Sequence, residues 1–119
     1  MVYCVVGCGE CDPCKHDMDT YCQRGPHVVS GGFAEYVSVP VRSLLPLDHS
    51  FDFVEGSLLT DTIGAPMWAL RRVEIPPKAT VTIWGLGPLG IVAVQGAKAL
   101  GAGRVIGFAP LPLRRRLAQ

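Results

Sequence analysis

Residues 80–108 read TVTIWGLGPLGIVAVQGAKALGAGRVIGF. A short β-branched run, Val81 to Trp84, predicts a strand, and the glycines from Gly85 to Gly90 predict a tight turn. An apolar helix is expected from that turn to Leu100, stopped by Gly101 and Gly103, with a second strand over Val105 to Phe108. Strand, helix and strand in this order make a βαβ unit with a parallel pair, so the chain is of α/β class. Leu89, Val92, Ala93, Gly96 and Leu100 recur every three or four residues and predict the helix face that lies on the sheet. Pro112 suits the first turn of another helix.

Gly85-Leu86-Gly87-Pro88-Leu89-Gly90 matches GxGxxG, a common pattern that gains meaning from its place between strand and helix. Gly85 can make the tight turn, Gly87 can admit a pyrophosphate, and Gly90 can bring helix and strand close. The phosphates would face the helix's unpaired amides. A glycine turn without a ligand is the competing reading. An NAD site carries an acidic residue at the end of the second strand, where this chain has Ala109. Arg114, Arg115 and Arg116 either meet the 2′-phosphate of NADP or form a solvated basic helix face.

Upstream, residues 7–25 are rich in Cys, Gly, Asp and Pro without apolar periodicity, so hydrophobic burial cannot hold them together. Cys8, Cys11, Cys14 and Cys22 place four thiols within fifteen positions. Four thiolates suit one tetrahedral Zn²⁺ and leave no coordination position open, which makes the ion structural. An iron–sulfur cluster and paired disulfides use the same residues. Cys4, in an apolar run, is expected to be a buried thiol. Phe33 to Pro40 alternates apolar and polar residues and predicts a strand. Ser50 or Asp52 can cap a helix through Val54, Leu58 and Leu59, and a further helix, Met67 to Val73, is expected just past Pro66.

The 11 Lys and Arg nearly balance the 10 Asp and Glu, and no basic stripe is interleaved with aromatics, which argues against a nucleic-acid partner. No segment has the length of a membrane span, and no signal peptide is evident, so a cytoplasmic protein is expected. Cysteines in that reducing compartment favour metal over disulfides.

With the cysteine lobe upstream and the glycine turn downstream, the chain resembles the zinc-dependent medium-chain alcohol dehydrogenase family. The likeness runs through Gly7-Cys8-Gly9-Glu10-Cys11, Cys14, Cys22, Gly31-Gly32-Phe33-Ala34-Glu35-Tyr36 and Gly85 to Gly90. It implies a GroES-like, β-rich catalytic domain with a structural-zinc lobe over residues 1–62, followed over 63–119 by the first βαβ of a Rossmann domain. It also implies hydride transfer between an alcohol or aldehyde and NAD or NADP, and a structural zinc on the four cysteines. Asp61, in Leu58-Leu59-Thr60-Asp61, stands where the family has the third ligand of its catalytic zinc, as in the formaldehyde dehydrogenase-like branch. Read without the resemblance, Asp61 is a helix or turn residue. His16, His27 and His49 match none of the family's ligands, and Lys78 stands where the family usually has a turn glycine. The family's other catalytic ligands precede the lobe and its later cofactor strands follow the second strand. The resemblance therefore implies an internal fragment without dehydrogenase activity of its own, from a family that commonly forms homo-oligomers. The rival expectations are a zinc-stabilised binding module with residual nucleotide affinity, and an iron–sulfur or redox thiol protein.

Overall fold

In the computed structural model, which describes residues 1–119, the chain divides into two compact units, residues 1–56 and 57–119. The second unit holds the βαβ. β3 (Thr80–Trp84) pairs in parallel with β4 (Arg104–Phe108), Thr80 opposite Arg104 and Trp84 opposite Phe108, and α4 (Pro88–Ala99) connects them. The ladder extends one step further, where the Gly85 amide donates to the Phe108 carbonyl at 2.8 Å. At the carboxyl ends of the strands the Trp84 and Phe108 rings stack at 4.2 Å between centroids.

α4 ends because Gly101 takes a left-handed φ of +93°. The Ala102 amide then reaches the Ala97 carbonyl and the Gly101 amide the Lys98 carbonyl, both at 3.0 Å, which satisfies carbonyls the helix leaves unpaired. Of the expected face of α4, Gly96 is buried and Val92 and Ala93 are half-buried, but its ends are not covered and the buried stripe shifts toward Val94 and Ala97. Val94, Gly96 and Ala97 are buried, Gly90 is half-buried, and Leu89 and Leu100 are exposed. The glycine turn sets this phase: Gly90 abuts the Gly85 carbonyl, so the stripe running from Gly90 through Val94 and Ala97 faces inward. Gly96 turns toward α3 (Gly64–Arg72), where a Cβ would come within 2.6 Å of Met67 Sδ and 2.9 Å of Leu70 Cδ1.

α3 starts earlier than expected and contains Pro66 as its third residue. Ile63 and Gly64 at its start both have right-handed helical angles, so Pro66 lies inside a continuous helical stretch, where its missing N–H takes one donor out of the ladder. Directly before α3, residues Leu59–Ile63 form a π-helical turn. A widened turn just ahead of a proline removes the clash its ring would make with the carbonyl four residues back.

Lys78 holds φ +63°, so a residue with a side chain occupies the left-handed region. Gly103 packs against the Lys78 backbone, where a Cβ would lie 2.7 Å from Lys78 Cα. Lys78→Gly is expected to stabilise the chain by about 0.5–1 kcal/mol, because relief of the left-handed conformation outweighs the greater freedom of glycine in the unfolded chain. Thermal denaturation should show Tm a few degrees higher; a lower Tm would reveal a packing role for the lysine stem.

In the first unit, β1 (Val5–Val6) and β2 (His27–Val28) form a short antiparallel pair, and an isolated bridge joins Val2 to Leu44. α1 (Asp12–Lys15) and two 3₁₀ turns, Asp19–Tyr21 and Val41–Ser43, complete it with the start of α2 (Phe53–Leu58). Asp52 caps α2: its Oδ1 accepts from the Glu55 amide at 2.8 Å, and Glu55 Oε2 accepts from the Asp52 amide at 3.2 Å. Ser50 instead donates its amide to Asp48 Oδ1.

Two expectations fail in this unit. Residues 33–40 form no strand, and Phe33 and Tyr36 are fully exposed, at 111% and 93%. Alternation alone does not make a strand; the backbone needs a ladder partner, and β2 already pairs with β1. Cys4 is exposed, because its neighbours Val5 and Val6 belong to a pair too short to cover it. The buried apolar side chains of this unit are Val6, Cys14 and Cys22, two of them thiols.

Candidate functional site

Each cysteine is delivered by a separate local device. Cys8 follows β1 through Gly7, and Gly9 turns the chain with φ +78°. Cys11 is the N-cap of α1, Cys14 lies within it behind Pro13, and Cys22 closes the 3₁₀ turn Asp19–Tyr21. All four sulfurs lie within 4.8 Å of one another, with Cys11 Sγ 3.3 Å from Cys14 Sγ and 3.9 Å from Cys22 Sγ. A tetrahedron of sulfurs about 2.3 Å from a central Zn²⁺ has edges of about 3.8 Å, so the set fits that ion. An iron–sulfur cluster is itself several ångströms across and holds its thiolates further apart. All five cysteines of the chain are free thiols.

Backbone amides prepare these sulfurs for a cation. Cys8 Sγ accepts from the amides of Glu10 at 3.5 Å and Cys11 at 3.4 Å, which lower its pKa to about 6. The Gln23 and Cys14 amides likewise lower Cys11. Burial has the opposite effect on Cys14, pushing its pKa up to about 12. The lobe therefore offers thiolate readily at Cys8, whereas Cys14 gives up its proton to a metal.

A clamp that the spacing of the cysteines does not reveal surrounds them. Asp19 Oδ1 accepts from the Gly7 amide at 2.7 Å and from Arg42 Nη2 at 3.0 Å. The Arg42 guanidinium packs where Gly9 would carry a Cβ, and a Cβ on Gly7 would overlap Cys14 Sγ. Arg24 pairs with Glu10 across the mouth of the lobe at 2.5 Å. Arg42 lies 23 residues from Asp19, beyond any local pattern; only Gly7 and Gly9 flanking Cys8 hinted at crowding.

In the second unit the three glycines of the turn differ physically. Gly85 has φ +94° with open space around it, and Gly87 is the extended N-cap of α4. Gly90 is pressed against backbone, where a Cβ would overlap the Gly85 carbonyl oxygen. Leu86 turns inward and is 2% exposed, covering Gly107 of β4, while Leu89 is exposed. Pro88 starts α4, and no side chain caps it, so its first amides stay available to an anion.

The alcohol dehydrogenase GroES-like domain family matches residues 1–49. Over 124 aligned residues the chain is 30% identical to a zinc-type alcohol dehydrogenase-like protein, YphC, of Escherichia coli (strain K12), with 100% of this chain and 35% of that protein covered. This chain belongs to the zinc-dependent medium-chain alcohol dehydrogenases. Sorbitol dehydrogenase of Bacillus subtilis (strain 168) is 30% identical, covering 96% of this chain and 33% of that enzyme. The structure superimposes on acetophenone reductase of Geotrichum candidum, solved in complex with NAD, with TM-score 0.87 and 29% identity over 98% of this chain and 36% of that one. The chain thus spans about a third of the length of the curated relatives it matches.

The remaining predicted positions fall in the second unit. Asp61 is exposed within the π-helical turn and lies outside the group of four cysteines. Ala109 follows the last residue of β4, and its carbonyl accepts from Arg115 Nη1 at 2.5 Å. Arg114 lies in α5 (Pro112–Leu117), with Nη1 3.9 Å from the point a Cβ on Gly87 would occupy.

Proposed function

We propose that this chain supplies the structural-zinc lobe and the first half of the dinucleotide site of an alcohol or polyol dehydrogenase that uses NAD or NADP. The observation that carries the proposal is the convergence of four thiols within 4.8 Å in a unit whose buried apolar side chains are Val6 and two of those cysteines. Cys8, Cys11, Cys14 and Cys22 would hold the ion, which replaces the missing hydrophobic core as the source of folding free energy. The site is closed, so its role is architectural.

In the second unit, Gly85 turns the chain, Gly87 leaves room for a pyrophosphate, and the uncapped amides of α4 face it. Asp61 is the chain's contribution toward the catalytic zinc of the complete enzyme. It offers one carboxylate where such an ion takes three protein ligands, so these 119 residues do not compose that site.

Metal analysis of the purified chain tests this reading. About one zinc per chain, retained through dialysis, is expected, together with saturable binding of an adenine dinucleotide and no alcohol-dependent reduction of NAD or NADP. A folded, metal-free chain would overturn the lobe assignment, and steady turnover would overturn the assignment of catalysis to a fuller protein.

A further inference from the structure

We infer that Asp19 is the positioning residue of the metal lobe: its carboxylate joins the segment carrying Cys8 to the turn carrying Cys22, and so governs how tightly the four thiols hold an ion. The inference rests on Cys8, Cys11, Cys14 and Cys22 forming one zinc site, and it adds which side chain assembles that site.

The four ligands differ in what brings them together. Cys11 caps α1 and Cys14 lies within it, three residues on, so one helical turn sets their separation. Cys8 and Cys22 are 14 residues apart on different elements and need a tie. Asp19 supplies it. It is the first residue of the 3₁₀ turn that Cys22 closes, and the Cys22 amide donates to its carbonyl at 3.0 Å. Its side chain reaches the other segment, where Oδ1 accepts from the Gly7 amide at 2.7 Å. The next amide, that of Cys8, donates to Cys22 Sγ at 3.4 Å. Two consecutive amides are thus held by the 19–22 turn, one by a carboxylate and one by a ligand sulfur. Glycine at position 7 permits this approach, since a Cβ there would lie 2.5 Å from Asp19 Oδ1.

Arg42 keeps the carboxylate aimed. Its Nη2 donates to the same Oδ1 at 3.0 Å, while Nη1 fills the space a Gly9 Cβ would take, on the far side of Cys8. The arginine is itself anchored through the next residue. Ser43 is fully buried, donates its hydroxyl to the Pro40 carbonyl at 2.6 Å, and accepts the Tyr3 amide on its own carbonyl at 2.7 Å. Asp19 is half-buried, where hydrogen bonds to a carboxylate hold better than in open water. Groups that orient a metal's ligands without touching the ion commonly change its affinity by about 10–100-fold.

Competition for zinc with a chelator tests this, read beside the visible absorption of the chain loaded with Co²⁺. Asp19→Ala should lower zinc affinity by about 10–100-fold, and the sulfur-to-cobalt absorption should fall by about a quarter as Cys8 leaves the tetrahedron of four thiolates. Asp19→Asn keeps Oδ1 as acceptor for both donors and should restore the spectrum and most of the affinity. Val6→Ala loosens the same unit without touching the tie and should leave the spectrum unchanged. An Asp19→Ala chain with the affinity and spectrum of the wild type would overturn the inference and leave the zinc reading standing. So would a Val6→Ala chain that lost the cobalt absorption to the same degree, because Asp19 would then act only through the stability of the fold. Should Asp19→Ala not fold, Arg42→Gln decides instead: a smaller loss in the same direction supports the tie, and none overturns it. A wild-type chain that takes up no metal would remove the zinc reading itself, and the inference with it.

Discussion

Cys11→Ser is expected to abolish stoichiometric zinc binding and unfold residues 1–56, while residues 57–119 keep their secondary structure. Serine preserves size, so the change removes a thiolate without opening a cavity. Its hydroxyl does not ionise near neutral pH and cannot replace the anionic ligand. Structural zinc contributes an apparent free energy of about 10–16 kcal/mol to small domains that depend on it. A unit the size of residues 1–56 has a total stability of only about 3–8 kcal/mol. Losing even part of the zinc term therefore exceeds what Val6, the Asp19 clamp and the short β1–β2 pair can supply. Metal analysis joined to hydrogen exchange measures both halves of the result. Cys4→Ser is the control, since Cys4 is exposed and outside the cluster, and it should change neither quantity. A Cys11→Ser chain that retained its zinc and its amide protection would refute the assignment.

The pH dependence follows from the same sulfurs. Protons compete with the metal for thiolates, so affinity falls as pH falls. Cys8, held at about 6 by the Glu10 and Cys11 amides, stays a thiolate on acidification to lower pH than Cys14 does. Cys14, raised by burial, takes back its proton first once the metal leaves. Zinc release to a chelator should therefore steepen as pH drops through 6, not as it rises.

The βαβ was legible from residues 80–108 because everything that shapes it is local. A β-branched run, a glycine turn, a proline at the helix start and a glycine at its end all lie within one connection, and both strand boundaries fall within one residue of those read from composition. The cysteine spacing was legible for the same reason. What stayed hidden depends on partners distant in sequence. Residues 33–40 alternate as a strand does but have no ladder to join. The phase of α4 is set by the Gly90–Gly85 contact, so large apolar Leu89 is exposed while Ala97 is fully buried. Asp19 bonds an arginine 23 residues away, and Arg114 approaches a glycine on the preceding βα turn. Composition could count these groups but could not bring them together.

The three turn glycines should separate in their effects when each is changed to alanine, because each is glycine for a different reason. Gly90→Ala is expected to be the most damaging, at about 2–4 kcal/mol. Its Cβ would overlap the Gly85 carbonyl oxygen and lie 2.9 Å from the Gly85 carbonyl carbon, both backbone atoms that cannot rotate away. Relief requires α4 to move off β3, which loosens Val94 and Ala97 as well. Gly85→Ala meets no neighbour but must adopt φ +94°, so a strain of about 1–2 kcal/mol is expected. Gly87→Ala has ordinary backbone angles, and the nearest atom to its Cβ is Arg114 Nη1 at 3.9 Å. Stability should change by less than about 0.5 kcal/mol there, while dinucleotide affinity falls because the methyl group occupies the approach of the pyrophosphate. Thermal melts paired with calorimetric titration distinguish the two classes of effect. If Gly87→Ala bound dinucleotide as wild type does, the turn would be a structural feature only. If Gly90→Ala melted with the wild type, the close packing of α4 on the turn would not be what holds the βαβ together.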